Sequence, residues 1–247
     1  MAGGAASLLI VGLLAGCSGQ PGDAANVNGS TPPGAPVGDA ERPARRELLF
    51  VGTSLTAGLG LDPENAYPSL IAEKIDSAGL PYSVTNAGIS GETTAALVRR
   101  LDWLLEGEFD VIVVETGAND GLRGIPVETA RENIDLVLTR IRASRPDALV
   151  VLVAMESPPN LGAAYTEAFR EMYAGLTQKH DAVLMPFLLD GVAGETRFNQ
   201  ADGIHPNEEG AEKVAANVWR TLAPLLAERA SRAGGQPAGG RGPGAGA

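Results

Sequence analysis

The sequence predicts an α/β fold, a three-layer α/β/α sandwich built on a five-stranded parallel sheet. Three observations predict it. Five short apolar runs of strand length recur along the chain. Segments with apolar residues every three to four positions separate them. Clusters of Gly, Asn, Asp and Ser fall at strand ends or in later loops, where open α/β sheets place their ligand loops. The chain has 247 residues, enough for one sizeable domain with tails and too few for two. Hydrophobic residues make up 44%, a globular value that supports a real core.

The elements follow in order. Glu47 to Gly52 is a buried strand, Asn65 to Ala78 has helical spacing and stops at Gly79, and Tyr82 to Asn86 is a short strand. Glu92 to Leu105 is helical, with Leu97, Leu101, Leu104 and Leu105 on one face and Gly107 as the stop. Phe109 to Glu115 is a strongly apolar strand, and Val127 to Ser144 a long amphipathic helix ended by Pro146. Ala148 to Ala154 is a fully buried strand, Ala163 to Lys179 a helix, Ala182 to Phe187 a short strand, and Asn207 to Arg229 the last helix. Strands alternating with helices imply a parallel sheet covered on both faces, with right-handed crossovers. The commonest strand order at this length is the flavodoxin-like 2-1-3-4-5.

The flanks differ in composition. Ala5 to Ala15 is an apolar run of signal-peptide length, too short to span a bilayer comfortably. It ends in Leu14-Ala15-Gly16-Cys17, which resembles the bacterial lipobox, in which the cysteine is lipidated and becomes the first residue after cleavage. Met1 to Gly4 contains no Lys or Arg, a departure from the usual signal n-region. Residues 1–16 are therefore expected to be a signal peptide and 17–46 a lipidated flexible tether rich in Gly, Pro and Ala. The folded domain is expected over 47–229, followed by a disordered tail over 230–247.

A net charge of −11 repels nucleic-acid phosphates, so no nucleic-acid partner is expected. Cys17 is the sole cysteine, which excludes an intrachain disulfide and a cysteine metal site. Two histidines, His180 and His205, are too few for a multi-histidine zinc site.

Four segments carry candidate chemistry. Gly52-Thr53-Ser54-Leu55-Thr56-Ala57-Gly58 follows the first strand. Its serine is either a nucleophile beside free backbone N–H groups or a helix cap. The segment is neither Gly-x-Ser-x-Gly nor a P-loop. Asn86 to Thr93 follows the second strand and brings backbone N–H groups within reach of a ligand, or makes a tight turn. Thr116 to Gly121 follows the third strand, and its Asn119 amide either donates to an oxyanion or shapes a turn. Asp202-Gly203-Ile204-His205-Pro206-Asn207 precedes the last helix. There an Asp three residues before a His can accept from one imidazole nitrogen and fix its tautomer.

Together these four segments resemble, in order and in loop position, the four blocks of the SGNH (GDSL-like) hydrolases over roughly Leu48 to Leu225. Asn86 to Thr93, Gly117 to Gly124 and Asp202 to Asn207 are most similar to the bacterial thioesterase I, lysophospholipase L1 and arylesterase branch. The resemblance implies a serine esterase or thioesterase acting on short- to medium-chain acyl esters through an acyl-enzyme. It implies Ser54 as nucleophile, His205 as base and Asp202 as its orienting carboxylate. It also implies an oxyanion hole of Ser54 N–H, Gly91 N–H and the Asn119 side chain, with no metal or organic cofactor. Gly-Thr-Ser-Leu stands where the family has Gly-Asp-Ser-Leu, so Thr53 replaces an acid outside the triad and alters local loop support. The loop from Glu156 to Gly162 is expected to border an acyl groove. Deacetylation of envelope or extracellular glycans, or a non-catalytic flavodoxin-like binding module, are the alternatives. A monomer exported to the bacterial envelope and held to a membrane by its N-terminal lipid is expected. His180 reads as a surface or capping residue, Trp103 and Trp219 as core, and Arg99 and Arg100 as a solvated face.

Overall fold

A computed structural model describes residues 45–234. The expected signal segment, Cys17 and the rest of the tail lie outside them. The five strands are β1 (Arg46–Gly52), β2 (Tyr82–Gly88), β3 (Val111–Glu115), β4 (Leu149–Val153) and β5 (Val183–Met185). All pair in parallel, in the order β2-β1-β3-β4-β5. The predicted sandwich is therefore the observed one, and its strand order is the flavodoxin-like one that is commonest at this length.

The helices are α1 (Ser54–Ala57), α2 (Tyr67–Ser77), α3 (Thr94–Leu104), α4 (Ala118–Leu122), α5 (Val127–Ser144), α6 (Ala163–His180) and α7 (Glu208–Gly234). On one face α2 packs against α7; on the other α3 packs against α5, and α5 against α6. Both faces of β3 and most of β4 are thus covered, which is why these strands are continuous apolar runs. The edge strands β2 and β5 are only partly buried, so their ends carry a weaker apolar signal. β2 runs two residues past Asn86 because Gly52 pairs with Gly88. β5 pairs only over Val183–Met185.

Several boundaries shift for local reasons. Pro63–Asn65 forms a 3-10 turn, and α2 begins at Tyr67 with a proline in its first turn, as helix starts favour. The helix expected from Glu92 begins at Thr94, because Thr93 is the N-cap and its hydroxyl accepts from Ala96 N–H. α7 continues to Gly234, so the expected domain end at Arg229 falls inside a helix. Thr116 to Gly121, read as a possible turn, contains most of the short helix α4.

Trp103 is corrected outright. It is 68% exposed, because two residues past the buried Leu101 a helix points to its opposite face. Trp219 does pack against the core.

Candidate functional site

The carboxyl ends of β1, β2 and β3 deliver three of the four segments to one sheet edge. Ser54 opens α1 directly after β1, with Thr53 as N-cap. The fourth segment lies in the loop before α7. Asn199 there bridges to Pro206, and Gln200 N–H donates to His205 O at 2.8 Å.

This loop brings His205 to Ser54. Ser54 Oγ lies 2.9 Å from His205 Nε2, and His205 Nδ1 lies 2.6 Å from Asp202 Oδ2. A carboxylate only accepts, so Nδ1 carries the proton and Nε2 accepts from the serine hydroxyl. Asp202 Oδ1 also accepts the N–H groups of Ile204 and His205, at 2.9 and 3.0 Å. The His205 backbone and ring bonds, with that of Ile204, hold the Asp202 pKa down at about 2. Ser54 is 8% exposed, sheltered but open to a ligand.

The second and third segments are locked to each other. Asn119 Nδ2 donates to Glu92 O at 3.0 Å, which leaves its other hydrogen for a ligand. Arg123 donates to Gly91 O at 3.0 Å. Gly91 has φ +77°, a left-handed conformation that glycine adopts without steric cost. Ile89 N–H donates to Gly52 O at 2.8 Å, which ties this loop to the end of β1.

A cleft of about 420 Å³ opens on Ser54, Asn119 and His205. Its wall is largely apolar, with Leu122, Met155, Pro158, Phe187, Leu189 and Ile204. Glu156 to Pro159 forms part of that wall, as expected of the loop after β4. On the other side of Ser54 and His205, a pocket under Leu59, Leu61 and Tyr67 has only about 10 Å³, room for about one water. The large cleft is the one with room for an acyl chain.

His180 does not reach this site. It ends α6, and its Nε2 lies 2.7 Å from Asp135 Oδ1 on α5. Its side chain is only 9% exposed rather than on the surface. Hydrogen bonds from Lys179 and then His180 hold the Asp135 carboxyl below its usual range.

Two features escaped the sequence reading. Arg100 is not on a solvated face: it pairs with Glu92 through two bonds of 2.6 and 2.7 Å and also donates to Ala87 O. The pair clamps the loop that carries Gly91, with side-chain exposures of only 15% and 3%. Eight residues along a helix span about 12 Å, too far for a direct pair, so no helical pattern pointed to it. Arg100→Met is expected to cost about 3–5 kcal/mol, because it leaves the Glu92 carboxylate buried and unpaired. Urea unfolding checks this; a cost below about 1 kcal/mol would show that the loop does not depend on the pair. The second feature is Glu115, a fully buried carboxyl at the end of β3. Its one signal was an acid closing an otherwise apolar strand.

Comparison with known proteins identifies the family. A model of the GDSL-like Lipase/Acylhydrolase family matches residues 50–213. The chain is 39% identical over 187 residues to Esterase TesA of Pseudomonas aeruginosa, covering 75% of this chain and 92% of that protein. It is 34% identical over 180 residues to Thioesterase 1/protease 1/lysophospholipase L1 of Escherichia coli strain K12, covering 72% and 84%. Among solved structures it is similar to the psychrotrophic esterase EstA from Pseudoalteromonas sp., inhibited there by monoethylphosphonate. The TM-score is 0.70 at 32% identity, covering 74% of this chain and 99% of that one. With the site geometry, these matches place the chain in the GDSL-like lipase/acylhydrolase family.

Proposed function

We propose that the protein hydrolyses short- to medium-chain acyl esters and thioesters through an acyl-enzyme, with Ser54 as nucleophile. The observation that carries this reading is the apolar cleft opening on a serine hydroxyl already bonded to an imidazole. His205 takes the Ser54 proton as Oγ attacks the acyl carbonyl. Asp202 orients the imidazole and stabilises the imidazolium. Ser54 N–H, Gly91 N–H and Asn119 Nδ2 receive the oxyanion, a contribution of about 3–4 kcal/mol for a donor removed by mutation. His205 then passes its proton to the leaving group and activates the water that releases the acid.

The apolar wall favours an acyl chain over a glycan, whose hydroxyl groups would be buried there without partners. Each methylene entering the cleft contributes about 0.8 kcal/mol, about fourfold in kcat/KM. A p-nitrophenyl ester series is therefore expected to rise steeply from acetate through butyrate to hexanoate. A flat series, or release of acetate from acetylated glycans without turnover of butyrate, would move the assignment to glycan deacetylation.

Export and membrane anchoring rest on Leu14 to Cys17. Expressed in a bacterium, the protein is expected in the membrane fraction, and Cys17→Ser is expected to release it. Equal partition of the two forms would remove the anchor from this reading.

A further inference from the structure

Behind Ser54 lies a carboxyl group that takes no part in the mechanism above. Glu115 is 0% exposed, and its partners are neutral. Thr53 N–H donates to Oε2 at 2.7 Å, Thr53 Oγ1 lies 3.0 and 2.9 Å from the two carboxyl oxygens, and Thr56 Oγ1 lies 2.9 Å from Oε2. Tyr67 Oη lies 2.8 Å from Thr56 Oγ1. An ionised carboxyl only accepts, so both threonine hydroxyls donate to it, and Tyr67 donates to Thr56. Room for this network comes from Gly52: a Cβ there would lie 1.9 Å from Thr56 Oγ1 and 2.7 Å from Glu115 Oε2.

Burial pushes the Glu115 pKa up, and the bonds from Thr53 and Thr56 oppose that. Two other titratable groups face it. Burial, and then the Glu115 charge, raise the phenol pKa values of Tyr67 and Tyr173, which keeps both as donors. Asp120 is turned away, accepting from Thr94 N–H and Oγ1 at 2.9 and 2.6 Å.

The network brackets the nucleophile. Thr53 and Thr56 lie on either side of Ser54 and Leu55, and both are tied to one carboxyl. An N-cap threonine ordinarily turns its hydroxyl onto the first-turn N–H groups. The Thr53 hydroxyl makes no such bond, because Glu115 holds it. Past Glu115, the same chain leads in four residues to Asn119.

We propose that Glu115 is a positioning residue: its buried carboxyl grips Thr53 and Thr56, and so holds the Ser54 hydroxyl and N–H in line with His205 and Asn119. Thr53 serves as its neutral donor, which is the support the loop has in place of the family's acid. The inference rests on Ser54 being the nucleophile.

Four proteins test it: wild type, Glu115→Gln, Thr53→Val and Thr53→Ser. Each is assayed for kcat and KM on p-nitrophenyl butyrate, for labelling rate with a fluorophosphonate probe, and for thermal midpoint. A displacement of about 1 Å can cost about 10²-fold in rate. Glu115→Gln is expected to lower kcat by about that factor with KM nearly unchanged. Thr53→Val, which keeps the shape and loses the donor, is expected to lower kcat and labelling about tenfold. Thr53→Ser restores the donor and is expected to recover most of that loss. Wild-type kcat in folded Glu115→Gln and Thr53→Val overturns the proposal. So does a loss in Thr53→Val that Thr53→Ser does not recover. Should Glu115→Gln fail to fold, the Thr53 pair decides. If the wild type neither turns over the ester nor takes the probe, the nucleophile assignment falls, and the clamp falls with it.

Discussion

Ser54→Ala is expected to abolish ester turnover while leaving the fold and its stability nearly unchanged. The side chain's one hydrogen bond in the structure is to His205 Nε2. Removing the hydroxyl deletes the only attacking atom of the proposed mechanism. The imidazole stands beside an open cleft, so water can satisfy it. The residue is buried, at 8% exposure, but Ser→Ala removes one oxygen and no apolar surface, so a stability change within about 1 kcal/mol is expected. Loss of a triad serine elsewhere costs about 10⁶-fold in kcat, the remainder coming from binding and the oxyanion hole. Turnover of p-nitrophenyl butyrate, with circular dichroism as the folding check, reads both quantities. Full activity in a folded Ser54→Ala protein would remove the serine-hydrolase mechanism altogether. A collapsed fold would show instead that the hydroxyl is structural.

The parts of the molecule that could be read from its sequence were those set by local chemistry. β3 and β4 are buried on both faces, so their residues are apolar without interruption, and α5 begins and ends where its periodicity does. The Asp202 to Asn207 loop could be read because its acid and imidazole are three residues apart and need no distant element to meet. What could not be read depends on residues far apart in the chain. Glu115 meets Thr53 across 62 positions; in sequence it is only a charge at a strand end. Asn119 and Asp120 have turn chemistry, yet they sit in a helix, and each bonds to the segment around Glu92–Thr94. Trp103 has leucines beside it in sequence, although its angular position on α3 faces it outward. Arg100 stands next to Arg99 in sequence, and only the loop before α3 brings Glu92 back to it.

His205→Ala is expected to be nearly as severe as Ser54→Ala, since an unassisted serine hydroxyl is a poor nucleophile at neutral pH. Asp202→Asn separates orientation from charge. Its carbonyl oxygen can keep the N–H groups of Ile204 and His205, which holds the loop. Its amide would then face Nδ1, make that nitrogen the acceptor, and put the proton on Nε2. The wrong tautomer cannot take the Ser54 proton, and a fall of about 10⁴-fold is expected with the fold retained. The pH profile reads the charge of Asp202. The Asp202 pKa lies at about 2, below its ordinary value. What its charged form contributes is therefore in place above the usual carboxylate range and is lost only as pH falls through about 2. No break in kcat/KM is therefore expected at carboxylate pH values, because Asp202 stays ionised across them. His180→Ala is expected to leave the rate unchanged, because His180 is held by Asp135 on the α5–α6 side. If His180→Ala abolished turnover and His205→Ala did not, the base would be misassigned. A break at carboxylate pH values in the wild-type profile would show that Asp202 is not held ionised by its loop.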